Sequence, residues 1–305
     1  MSFDNAYEAL VEPGTTDEAH WAFGTGFADQ MTGVDRAVPS DADAGNLAAY
    51  CLMLADDALV FSQRLSEWCA NSPELEEDVA LANIALDLLG QARLLLARAA
   101  EVAPEVRPAA APAHVPDEDA LAYFRDERDF RNVRMVEQEI GDFAVTIARL
   151  LLFSSWRLAL FQRLATSRDP VLAAVAAKGC KELAYHRDHA VQWTLRLGDG
   201  TDYSHERMRA GLARVWPFQP ELFTPTPVEL RLAEQGIAVD PADVRSEVDN
   251  VVDTVFGAAG LERPQLPELS PVAGHAGRDG IHTELMGYLL AEMQHLARSH
   301  PQAVW

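Results

Sequence analysis

The segment from Val79 to Ala97 constrains the fold more than any other part of the chain, because nearly every position in it is Val, Ala, Leu or Ile. A helix apolar almost all round belongs inside a large bundle rather than on a surface. With the stretch from Phe61 it reads as the second arm of a helical hairpin. Its polar exceptions include Asn83, Asp87 and Gln91, which recur at a spacing of four. On a helix that spacing puts all three on one face, roughly 6 Å apart along the axis. A polar line along such a helix needs a reason. Three are open: a solvent-facing edge, a buried hydrogen-bonded network, or the remnant of a metal site.

The rest of the chain supplies partners for this hairpin. Leu47, Tyr50, Leu54, Ala58, Phe61, Leu65 and Trp68 step by three or four and predict a first helix from Asn46 to about Trp68. Ser72-Pro73 reads as the start of the second helix, with Glu74, Glu76 and Glu77 at the positive end of its dipole, and that helix runs to about Glu101. Pro104, Pro108, Pro112 and Pro116 forbid a regular helix across the segment that follows. A short acidic helix is expected over Asp117–Arg128, and a long third helix over Asn132–Thr166. Asp169-Pro170 opens a fourth, which stops at Gly198-Asp199-Gly200. Four long, mostly apolar helices predict an all-α chain built on a four-helix bundle. Shorter helices at His205–Val215, Asp240–Phe256 and His282–Arg298 are expected to pad its outside. Residues 1–44, rich in Gly, Asp and Thr with a Trp21–Phe23 patch, read as an irregular N-terminal extension, either a docking segment for a partner or a plain tail. Residues 45–305 then form the helical domain.

Charge and cysteine content remove several functions. The net charge of −22 argues against nucleic acid as a partner. No run of about twenty apolar residues lacks a charge, so no membrane span is expected. The acidic first thirty residues carry no secretory signal, and the cytoplasm is the expected location. Cys51 and Cys69 lie about 27 Å apart on one expected helix, beyond any disulfide, and with Cys180 read as reduced core thiols.

A large four-helix bundle raises the question of a carboxylate-bridged di-iron centre. That chemistry takes a Glu from each of two helices and a Glu-x-x-His pair from each of the other two. The second helix has no histidine. The fourth has Glu182, His186 and His189, but the residue three before His186 is Leu183. The only literal Glu-x-x-His, Glu292 to His295, falls in the last helix outside the bundle. Glu137, Glu139 and Asp142 most simply complement the dipole of the third helix. The other histidines, His20, His114, His205, His275, His282 and His300, read as surface or locally bonded. No phosphate-binding loop or nucleophile elbow is present.

Several stretches carry a family resemblance: SQRLSEWCANSPELEEDVALANIALDLLGQAR, FRDERDFRNVRMVEQ, FAVTIARLLLFSSW, LATSRDPVLAAVAAKGCKELAYHRDHA, LGDGTD and QGIAVD. They resemble the PaaC-type subunits of the ring-1,2-phenylacetyl-CoA epoxidases, from about Asn46 to Trp305. The resemblance implies a ferritin-like fold and a complex that converts phenylacetyl-CoA to its ring epoxide with dioxygen. In such a complex the di-iron centre lies in the paralogous PaaA subunit. A small PaaB subunit and the flavin and iron–sulfur reductase PaaE complete it. The PaaC-type subunit is structural, pairs with PaaA and has no catalytic residue or cofactor of its own.

Carried onto this chain, the vestigial di-iron positions are Glu67 in the first helix and Leu88 with Gln91 in the second. Ser154 stands in the third, and Leu183 with His186 in the fourth. Glu67 and His186 are expected near the old site, each partnered by the other or by an arginine such as Arg149. The alternative is an oxygenase in its own right with an altered metal set, for example Asp87, Glu182, His186 and His189. A third reading is an unrelated helical binding protein. Trp68, Trp156 and Trp193 read as core or as interface anchors.

Overall fold

The Asp43 carboxylate accepts a hydrogen bond from the Asn46 amide at 2.8 Å and so opens the first long helix, α1 (Ala44–Ser66). The computed structural model describes residues 31–266 and 276–303. The Trp21–Phe23 patch, His20 and His275 therefore lie outside the described residues. Val34–Trp305 form one compact unit. Ahead of α1, Arg36 pairs with Glu101 and Asp41 with Arg168, which fixes the non-helical run before Asp43 to the chain's own surface.

Four long helices make the body: α1, α2 (Leu75–Val102), and, after two short helices α3 (Asp117–Tyr123) and α4 (Arg134–Glu137), α5 (Phe143–Leu164) and α6 (Pro170–Gly198). Helix α1 packs along α2 and α5 along α6, so the body is two hairpins that meet where α2 lies against α6. Phe61 and Phe153 join α1 to α5 edge-to-face with ring centroids 4.8 Å apart. Among the described residues there is no strand. Helices α7 (Asp202–Val215) and α9 (Arg245–Ala259) pack on α5 and α6. Helix α8 (Pro227–Glu234) lies on α1, and α10 (Glu284–Ser299) lies on α3 and α4.

The structure corrects the sequence expectations in several places. Ser72-Pro73 does not cap α2: the N-cap position falls on Glu74, with no side-chain bond to the helix. The expected third helix is broken between α4 and α5. Gly141 there has φ +67°, a left-handed conformation, and Asp142 caps α5 through the Val145 amide at 2.9 Å. The carbonyls of Gln138 and Glu139, released by the break, accept from the buried Arg149 guanidinium. Of the acids assigned to that dipole, only Asp142 serves it, for Glu139 pairs with Arg214 and Glu137 is buried elsewhere. Cys51 is a core thiol, but Cys69 is exposed and Cys180 half-buried. Finally, α1, α2 and α5 are each long and apolar enough to cross a membrane by length and composition. In the protein, 72%, 44% and 94% of their apolar windows are buried.

Two adjacent aspartates of α1 tie the end of the chain to its beginning. Asp57 accepts both arms of the Arg278 guanidinium at 3.0 and 2.8 Å and the Val133 amide at 2.8 Å. Asp56 pairs with Arg125 and accepts the Arg131 amide at 2.8 Å. Beside them the carboxylate of Glu137 accepts from Asn132, from the Thr283 amide and from His282, whose side chain is fully buried. His282 is thus not a surface histidine. All these charges are buried and paired, as burial in a low-dielectric interior requires.

Candidate functional site

The interior shared by α1, α2, α5 and α6 is where a metal-binding bundle would hold its ligands, and here a guanidinium fills it. Arg157 of α5 is fully buried. Its Nε donates to Gln91 Oε1 at 3.0 Å, and its Nη2 donates to the Leu54 carbonyl of α1 at 3.1 Å. Gln91 Nε2 donates in turn to Glu182 Oε2 of α6 at 2.9 Å, and Lys178 meets the other oxygen of Glu182 at 3.0 Å. One polar chain thus crosses all four helices from the surface of α6 to the backbone of α1. Burial pushes Arg157 down to about 10, the nearby Asp57 opposing the shift, so the group stays charged at neutral pH. Its Cζ lies 4.4 Å from the Phe161 ring centroid, a cation–π contact. Gly179 makes room for the chain: a Cβ there would stand 2.8 Å from the Phe161 ring and 3.3 Å from Gln91 Nε2.

A second polar seam joins α2 to α6 nearer the surface. His186 is buried and its Nε2 lies 3.0 Å from Asp87 Oδ2, while its Nδ1 has no partner. His189 Nε2 and Glu77 Oε2 are 3.1 Å apart but misaligned for a hydrogen bond. Burial lowers the pKa of His189, against the pull of Glu77 and reinforced by His186. Tyr185 packs on both imidazoles.

The six vestigial positions are thereby placed. Leu88 and Leu183 are fully buried and offer no lone pair. Ser154 gives its hydroxyl proton to the Leu150 carbonyl at 2.6 Å within its own helix. Gln91 is taken by Arg157 and Glu182. Glu67 stands at the C-cap of α1, partly exposed, and pairs with Arg64 at 2.7 Å rather than with His186 or Arg149. His186 turns to Asp87. Glu67 thus has an arginine partner as expected, although it is Arg64 and not Arg149, whereas His186 pairs with neither Glu67 nor an arginine. Arg149 is spent on two backbone carbonyls, and burial brings it down to about 9. Among the described residues no three His, Cys, Asp or Glu side chains converge. At the positions that the resemblance matches to iron ligands, Leu88 and Leu183 carry no donor atom, and the Arg157 guanidinium bonds Gln91 there, a donor set that does not fit a di-iron centre.

The polar line on α2 resolves into more than one environment. Asn83 is exposed, Asp87 half-buried and Gln91 buried, because each step of four overshoots a full turn by about 40° and carries the line from solvent into the core. Trp68 and Trp156 are core, and Trp193 meets Phe143 edge-to-face with ring centroids 4.9 Å apart. Glu292 and His295 are both exposed on α10. Sequence patterning does not single out Arg157, although with Arg149 it is one of two charges eight residues apart in an otherwise apolar run.

The family model described as phenylacetic acid catabolic protein matches residues 31–305. The chain is 48% identical over 259 residues to the C subunit of the 1,2-phenylacetyl-CoA epoxidase of Escherichia coli (strain K12). The aligned part covers 85% of this chain and 99% of that relative.

Proposed function

The chain belongs to the phenylacetic acid catabolic protein family, and we propose that it is the non-catalytic structural subunit of a phenylacetyl-CoA epoxidase, paired with the di-iron catalytic subunit PaaA. The observation that carries this reading is the interior of the bundle. Arg157, Gln91 and Glu182 cross-link the four helices there, and Leu88 and Leu183 stand where a di-iron protein needs donors. A buried guanidinium supplies fixed positive charge between helices without exchangeable coordination positions, which suits a rigid subunit and not an oxygen-activating one. On this reading the iron resides on PaaA, and the flavin and iron–sulfur groups on the reductase PaaE. PaaB and phenylacetyl-CoA meet this chain only within the complex.

The test is co-expression with the cognate PaaA, followed by size exclusion and iron determination in each separated subunit. Co-elution with iron on PaaA supports the proposal. Stoichiometric iron on this chain purified alone overturns it, and Glu67, Asp87, Glu182 and His186 would then be the residues to mutate.

A further inference from the structure

Helix α2 matches α5 in apolar character, yet less than half of its apolar window is buried against nearly all of that of α5. The difference lies on one face. Leu75, Val79, Leu86 and Leu89 are 74%, 54%, 63% and 41% exposed. Their steps of four, seven and three keep them in one stripe about 20 Å long. Tyr185 of α6, 53% exposed, adjoins the buried His186 and the half-buried His189, which pair with α2. Scattered exposed apolar residues are ordinary, but a contiguous stripe on a long helix is a contact surface.

Gly90 adds an independent observation. It lies on the same side of α2, and a Cβ built there would meet nothing closer than Lys178 Nζ at 3.9 Å. Nothing in the chain's own packing demands a glycine, which weakens a helix relative to alanine. Close approach of another helix would use the missing side chain.

The charges on this face select among occupants. Glu74 and Glu76 sit at the N-terminal end of the stripe and form no ion pair among the described residues, whereas Glu77 has His189 and Asp78 bonds the Ala70 amide. A second copy would bring another chain of net charge −22 and its own acidic turn. An anionic lipid surface is repelled in the same way.

We infer that the outer face of α2, from Leu75 to Gly90 with Tyr185 beside it, seats an apolar helix of a different subunit that carries basic side chains over Glu74 and Glu76. The inference rests on the pairing proposed above and identifies that subunit as the catalytic one.

The experiment compares full-length wild type, Leu86→Glu, Glu74→Gln/Glu76→Gln and the control Tyr288→Glu for binding to the purified cognate catalytic subunit. Each variant is also melted alone. Leu86 and Tyr288 are both exposed, so their variants should melt with wild type. The expected result is at least a tenfold loss of affinity for Leu86→Glu and none for Tyr288→Glu. For the double Gln variant, a several-fold slower association at low salt is expected. Equal binding by wild type and Leu86→Glu overturns the surface while leaving the pairing intact. No binding by wild type overturns the pairing and the surface together. A wild-type dimer that Leu86→Glu splits, with catalytic-subunit binding unchanged, gives the face to a second copy and also overturns the inference.

Discussion

Arg157 and Gln91, on helices that belong to different hairpins, share a 3.0 Å hydrogen bond in the middle of the bundle. The bond makes each side chain the other's reason to be there. Gln91 without Arg157 would leave a buried carbonyl oxygen unpaired, and Arg157 without Gln91 would keep only its bond to the Leu54 backbone.

Substitution at Arg157 should therefore separate charge from volume. Arg157→Ala removes the cation and leaves a cavity, for an expected loss of about 3–5 kcal/mol. Arg157→Met fills most of the volume and should lose clearly less, since well-packed apolar replacements of buried ions are often tolerated. Urea unfolding of both variants checks this. Equal losses would assign the stabilisation to hydrogen bonding and charge rather than to packing.

The two glycines that face opposite ways on the α2–α6 pair should respond with opposite sign. Gly179→Ala drives a methyl group into the Phe161 ring and should cost about 1–3 kcal/mol. Gly90→Ala meets only Lys178 Nζ, at an ordinary contact distance of 3.9 Å, and should stabilise the isolated chain by roughly 0.5–1 kcal/mol through helix propensity. Thermal melts of the two variants side by side decide it.

Breaking the clamp between α1 and the C-terminal segment should be more damaging than any change on the surface. Asp57→Asn leaves the Arg278 guanidinium buried without its carboxylate, one of the two side-chain acceptors becoming a neutral amide oxygen and the other an N–H donor, for an expected loss of about 3–5 kcal/mol. Cutting an exposed pair such as Arg209–Glu206 should leave stability nearly unchanged. Chemical denaturation of Asp57→Asn and Arg209→Ala measures the contrast.

Stability should depend on pH through His282. Burial alone depresses its pKa, but the hydrogen bond and charge of Glu137, with the Phe130 carbonyl, outweigh burial and raise it. A histidine whose folded pKa is raised stabilises fully below its unfolded value of about 6.5, and the contribution drains as pH climbs through the folded value. The wild type should therefore lose stability from near neutrality upward, and His282→Gln should flatten that part of the curve. His189 should titrate on the other side of the ordinary value, being lowered chiefly by burial. Unfolding at a series of pH values, with histidine resonances followed by NMR, tests both directions.

Much of the fold was legible because the long helices announce themselves by apolar steps of three and four, and α6 also by Asp169, which accepts from the amide three residues on, with Gly200 just beyond its end. Asp43 and Asp142 cap α1 and α5 in the same way, but the sequence pattern did not single them out as caps. The site was legible only in the negative. Leu88 and Leu183 say from their chemistry alone that no ligand stands there. That an arginine fills the space could not be read, because nothing at Arg157 marks which of its neighbours lie 66 and 103 residues away. The burial of His282 was hidden for the same reason: its partner Glu137 is 145 residues distant. The break before α5 was signalled by Gly141, but the apolar content on both sides outweighed a single glycine.

The Asp57–Arg278 pair also sets an order of events. Asp57 is made early and its partner 221 residues later, so α1 cannot pair this charge in the closed body until almost the whole chain has left the ribosome. Until then an open hairpin with a hydrated aspartate competes well with a closed one that would bury the charge alone. Final closure is thereby coupled to completion of synthesis, and a chain cut before Arg278 should persist as a loosened, protease-sensitive form rather than a smaller folded protein.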